Sequence, residues 1–258
     1  MTEVDPTGSP QSTRERARRD PARTFLVVVM VVCVAVLLAV LVPGLLPLTL
    51  RSRIGIAGPQ ADTSGAYAFL AHQPGDPREP VAYSPCTPIR VQVNPDGGPA
   101  DAVTLVQQAM ARVATATGLR FEYAGASTDR PQWRSAYLPD LAEAGTPVLV
   151  SWATPQEVPE LAGAVAGIGG SVWVGVAGGT RRYVTGAVTL DTGAFEELGT
   201  RPDARAEEEA IVLHEFGHLV GLGHVDDPGE LMYRHNIGRT DFGPGDLAGL
   251  ALLGQGSC

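Results

Sequence analysis

Between Ala210 and Val220 the chain is apolar on nearly every helical face, with interruptions at His214, Glu215 and His218. A helix that is apolar all round is buried, and buried polar side chains need partners. The fold must therefore wrap this helix and give two imidazoles and a carboxylate something to bind. The helix is predicted to begin near Asp203 or Ala204, with Glu207, Glu208 and Glu209 in its early turns, where acidic residues suit the helix dipole. Positions i and i+4 lie one above the other on a helix, so His214 and His218 can reach a single metal ion. Glu215 is rotated by about 100° around the axis. It falls outside that coordination set but within reach of a water beside it. Gly221 can adopt the left-handed conformation that ends a helix, and the resulting turn carries His224 back towards the metal. Three protein ligands with one open position are what a catalytic zinc requires, and His-Glu-x-x-His supplies two ligands and a general base.

The rest of the chain alternates strand and helix textures. Ile89 to Val93 alternates apolar and polar residues, as a half-buried strand does. Residues 100–117 place Val103, Val106, Met110, Val113 and Ala114 at helical spacing, and Gly118 stops that helix. Leu119 to Tyr123, Val148 to Trp152, Ser171 to Val176 and Tyr183 to Leu190 read as strands, the last closed by a turn at Asp191-Thr192-Gly193. This order predicts an α/β fold in which one sheet backs onto helices.

The N-terminus is organised differently. Residues 1–24 are polar and carry five Arg, as a disordered cytoplasmic tail would. Phe25 to Val42 holds no charge, and the apolar texture extends to Leu48, so residues 25–48 are predicted to be a transmembrane signal-anchor. The alternative is a cleaved secretory signal, although the apolar run exceeds the usual signal core. Both readings export the C-terminal region, leaving a single-pass membrane protein in the first and a secreted one in the second. Residues 49–80, rich in Gly, Pro, Ala and Ser, read as a linker or stalk, and residues 81–258 as the catalytic domain. Cys33 lies in the apolar run, so Cys86 and Cys258 are left as one candidate disulfide in an oxidising compartment. The formal net charge of −9 argues against a nucleic-acid partner. All 19 basic residues are Arg, in tail, surface and strand positions alike, which we read as a codon-level bias. No feature of the sequence assigns an oligomeric state.

The sequence His214-Glu215-x-x-His218-x-x-Gly221-x-x-His224, followed by Met232, resembles the metzincin clan of zinc endopeptidases, and Leu231-Met232-Tyr233 resembles the Leu-Met-Tyr of matrixins. The resemblance implies a twisted, mostly parallel sheet with one antiparallel edge strand, two long helices, and a C-terminal helix after the Met-turn, for which Asp246 to Leu253 is available. It implies one catalytic zinc held by His214, His218 and His224, with Glu215 as the base and Met232 as a hydrophobic floor. Val225 and Arg234 stand where matrixins usually have Ser and Pro. Only His72 and His235 remain for a second zinc site, so none is expected. Asp191 could mark a calcium site by analogy, with an ordinary strand-end turn as the simpler reading. Cys86 as a latent metal ligand, in the manner of the matrixin cysteine switch, is the alternative to the disulfide, but Ser84-Pro85-Cys86-Thr87-Pro88 does not match that motif. His72 is a second candidate for an inhibitory ligand, and Tyr233 is expected to be structural.

The implied activity is a membrane-anchored, extracytoplasmic zinc endopeptidase acting on a peptide or protein. The substrate would lie along an edge strand within residues 161–176. Two rivals stand beside it: a non-catalytic zinc-binding interaction or sensor domain, and a hydrolase of non-peptide amides, which needs the same water, base and Lewis acid.

Overall fold

The computed structural model describes Met30 and residues 65–135, 138–139, 145–175 and 179–258. The expected tail and anchor lie outside the described residues, Met30 apart. Among the described residues, no helix is long and apolar enough to cross a membrane.

Within the unit Gly58–Cys258, four short strands come first: β1 (Ala68–Phe69), β2 (His72–Gln73), β3 (Asp76–Pro80) and β4 (Ala82–Tyr83). Next come β5 (Ile89–Asn94), helix α1 (Ala102–Thr117), β6 (Phe121–Ala126), β7 (Trp133–Ser135) and β8 (Leu138–Pro139). The chain continues through β9 (Val148–Ala153), β10 (Gly167–Gly175) and β11 (Arg181–Asp191) to α2 (Thr192–Gly199). It ends with α3 (Arg205–Val220), β12 (Leu222–Gly223) and α4 (Pro244–Leu253). The main sheet has the order β10-β11-β9-β5-β6, and β4 also pairs with β11. The β11–β9, β9–β5, β5–β6 and β11–β4 pairs are parallel, whereas β10 runs antiparallel to β11 at the edge. The α/β architecture expected from the resemblance is the one observed, with two long helices and α4 following Met232.

The helices form where apolar spacing and stop signals agree. In α1, Leu105, Val106, Ala109, Met110 and Val113 are buried, and Gly118 closes the helix in the left-handed region with its N–H on the Ala114 carbonyl. The core joins Val91, Val93, Val150, Trp152, Val188 and Leu190 of the sheet to Leu105 and Val113 of α1 and to Val212, Leu213, Phe216 and Leu219 of α3. A smaller cluster of Ala153, Val158, Leu161 and Ile168, with Trp133 against it, packs separately.

Two local expectations change. The stretch 65–80, read as linker, carries β1 to β3, and Ala68, Phe69 and Ala71 pack on the core. Its short strands lack the length for a visible period, and the pairing of β1 with β12 is remote in sequence. The turn at Asp191 is the start of α2: Asp191 Oδ1 accepts the Ala194 N–H at 2.6 Å, as a helix N-cap does.

Candidate metal centre

Helix α3 presents His214, Glu215 and His218 as its periodicity requires. Gly221 ends it with φ 122°, and its N–H reaches the carbonyls of Gly217 and His218, each at 3.1 Å. This backbone is open to glycine and strained for other residues. The chain then reverses through β12, and β1 pairs with it at Ala68↔Gly223 and Phe69↔Leu222. The reversal delivers His224 to the other two rings.

His214 Nε2 and His218 Nε2 lie 3.1 and 3.2 Å from His224 Nε2. On the far side of each helical ring, His214 Nδ1 donates to the Leu231 carbonyl and His218 Nδ1 to the Leu222 carbonyl, each at 2.8 Å. Those carbonyls fix the tautomer, because an Nδ1 that donates leaves Nε2 as a lone pair in a neutral ring. Two lone pairs thus face His224 Nε2, which can carry only one proton. A dipositive ion accepts from all three. Zinc–imidazole bonds in a tetrahedral site place ligand nitrogens about 3.3 Å apart, close to the separations found. The donor set therefore fits a metal ion, and the three histidines could hold one. His72 stacks edge-on against Phe69 and His235 against Tyr233. Neither belongs to the metal-capable cluster found among the described residues.

Burial sets the protonation states. It pushes His214 down to about 4, opposed by the hydrogen bond to Leu231 and reinforced by His224. His218 is driven well below the usual imidazole range, first by burial and then by the other two rings. Burial also lowers His224, with help from the Arg234 charge. All three rings are neutral near pH 7, the form that ligates metals. Glu215 is 6% exposed, burial pushes its carboxyl up to about 8, and its Oε2 has no hydrogen-bond partner in the structure.

The surroundings contain residues that sequence reasoning did not single out. Gly167 and Gly169 of β10 face α3: a β-carbon at 167 would lie 2.8 Å from Glu215 Cγ, and one at 169 would overlap the Glu215 carbonyl. Alternate glycines in a strand signal such a close backbone approach, and the Gly-rich texture of 161–179 contained that signal. Beneath the helix, Met232 is 1% exposed and its sulfur lies against Gly217. The turn carrying it is held by two buried carboxylates. Glu230 accepts the N–H groups of Gly245 and Asp246 at 3.0 and 2.8 Å. Asp246 accepts those of Leu231, of Gly243 at 3.0 Å and of Met232 at 3.4 Å. Tyr233 bridges to Val225 through the backbone. Cys86 and Cys258 are joined in a disulfide, which removes Cys86 as a metal ligand.

A family model described as Peptidase_M10, Matrixin, matches residues 169–244, from the edge strand to the first residue of α4. A solved structure described as "GM1 bound form of the ECX AB5 holotoxin" is similar at 15% identity, covering 74% of this chain and 88% of that one, with a TM-score of 0.40. Metalloproteinase-II from Bacteroides fragilis is similar at 17% identity, covering 66% of this chain and 53% of that one, with a TM-score of 0.32. No curated protein matches the chain. The matrixin match supports a metzincin-like relationship and a metallopeptidase-like protein.

Proposed function

We propose that the chain is a zinc-dependent endopeptidase, membrane-anchored through residues 25–48, with its catalytic domain outside the cytoplasm. The observation that carries the reading is the convergence of three neutral imidazole nitrogens beside a buried, unpartnered carboxylate. The Cys86–Cys258 disulfide supports an oxidising compartment.

His214, His218 and His224 would hold the ion, with Met232 as the apolar floor under the helix. When bound, zinc supplies a Lewis acid that polarises a carbonyl and acidifies a water. Glu215, adjacent to a ligand and stripped of other hydrogen bonds, takes the proton of the attacking water and returns it to the leaving amine. The outer edge of β10, with which no described strand pairs, would hold an extended peptide by strand addition, and its glycines keep the strand close to Glu215.

The test is Glu215→Gln in the full chain. One metal ion per chain should remain, and chelator-sensitive cleavage of a peptide library should fall by about 100-fold or more. Metal bound without cleavage in the wild type would instead favour a non-catalytic metal domain or a hydrolase of non-peptide amides. Full activity in the Gln variant would remove Glu215 from its role.

A further inference from the structure

Ser171 sits where the edge strand meets the end of the metal-bearing helix. Its Oγ donates to the Leu219 carbonyl at 2.6 Å, and Tyr83 OH lies 2.7 Å from Ser171 Oγ. A serine hydroxyl has one proton, which is committed to Leu219, so the Tyr83 phenol is the donor to Ser171. The chain of bonds thus runs in one direction, from Tyr83 on β4 through Ser171 on β10 to the residue following His218. All of it is buried: Tyr83 is 4% and Ser171 7% exposed.

The Leu219 carbonyl is in the last turn of α3, where carbonyls have no partner within the helix. Gly221 serves those of Gly217 and His218, and Ser171 serves that of Leu219. Space for the contact comes from Gly186, the partner of Ser171 across the ladder, where a β-carbon would lie 2.6 Å from Ser171 Oγ. Gly169 meets the same helix at the Glu215 carbonyl. Two residues of strand advance about 7 Å and four residues of helix about 6 Å. The steps from 169 to 171 and from 215 to 219 therefore match, and strand and helix are locked in step at two points. The Gly169 contact is a close approach with no side chain to grip. The Ser171 contact is directional.

We infer that Ser171, oriented by Tyr83, is a positioning residue that sets the register between the edge strand holding an extended peptide and the helix carrying Glu215 and two metal ligands. The inference rests on the endopeptidase reading and adds to it a dependence on substrate length. A peptide long enough to pair along β10 is presented through that register, whereas a short amide confined to the metal centre is not.

The experiment compares the full-length, zinc-loaded wild type with Ser171→Ala, Tyr83→Phe and the double variant. Each is assayed on an eight-residue peptide and on an acyl-dipeptide amide with the same scissile bond. In Ser171→Ala, kcat/KM for the long peptide should fall about tenfold while that for the short one changes by less than about twofold. Tyr83→Phe should show a smaller loss of the same long-to-short ratio, and adding it to Ser171→Ala should change nothing further. Equal losses on both substrates, or no loss on the long one, overturn the positioning role while leaving the endopeptidase reading intact. A zinc-loaded wild type that cleaves neither substrate overturns both. Should Ser171→Ala fail to fold, Tyr83→Phe, which keeps the ring against Tyr183, decides by the same ratio.

Discussion

A β-carbon at Gly217 would lie 2.7 Å from Met232 Sδ, so α3 and the turn beneath it touch where only a hydrogen fits. Gly217→Ala forces a methyl into that contact and should cost about 1–3 kcal/mol. Met232→Ala should cost about 2–5 kcal/mol through the cavity it leaves. The double variant should be less destabilised than the sum of the two, because each change relieves the other. Denaturant unfolding of the metal-loaded protein measures all three, and strict additivity would disprove the contact.

Gly221 combines φ 122° with a neighbour, Leu253 Cδ2, 3.0 Å from where a β-carbon would stand. Gly221→Ala should cost about 1–3 kcal/mol and weaken metal binding by about tenfold or more, since the same turn delivers His224. Gly238→Ala is the control, with φ 81° and open space around it. It should leave metal affinity unchanged in a competition titration with a chromophoric chelator.

Asp246 makes stability depend on pH. Burial raises its carboxyl from 3.8 to about 6, with Glu230 adding to the rise and three backbone N–H groups opposing it. A group with a raised folded-state pKa stabilises most below its unfolded value, and that stability is lost as pH climbs through the folded value. Between about pH 4 and pH 6 this group should remove about 2 kcal/mol. Asp246→Asn should flatten the wild-type slope over that window. Parallel slopes for the two proteins would rule the assignment out.

The disulfide closes a separation of 172 residues, from the loop between β4 and β5 to Cys258. Cys86→Ser with Cys258→Ser should lower the unfolding free energy by about 2–5 kcal/mol. Reductant should lower the melting temperature of the wild type and leave that of the double variant unmoved.

The residues of the candidate metal centre that are placed by local spacing were legible in the sequence. His214, Glu215 and His218 follow from helical period, and Gly221 with His224 from the turn that a glycine permits. Strand β5 and helix α1 were legible because each alternates or repeats over enough residues to show its period, and β9 and α3 as apolar runs of strand and helix length. The support around the site was not. The Glu230 and Asp246 carboxylates meet backbone groups about 15 residues away in the chain, and nothing local marks either as buried. Tyr83 and Ser171 are 88 residues apart. Asp191 read as a turn because an N-cap and a turn use the same side-chain acceptor.

The peptide group joining Leu231 to Met232 is held at both ends. Its carbonyl accepts from His214 Nδ1 at 2.8 Å, and its N–H points to Asp246 Oδ1 at 3.4 Å. A carboxylate at one end of an amide pushes electron density towards the oxygen at the other, because hydrogen bonds in series polarise one another. The carboxylate on α4 is thus wired through a single amide to an imidazole two elements away. The electron-donating strength of the ring at position 214 is tuned from a residue outside the metal-capable cluster.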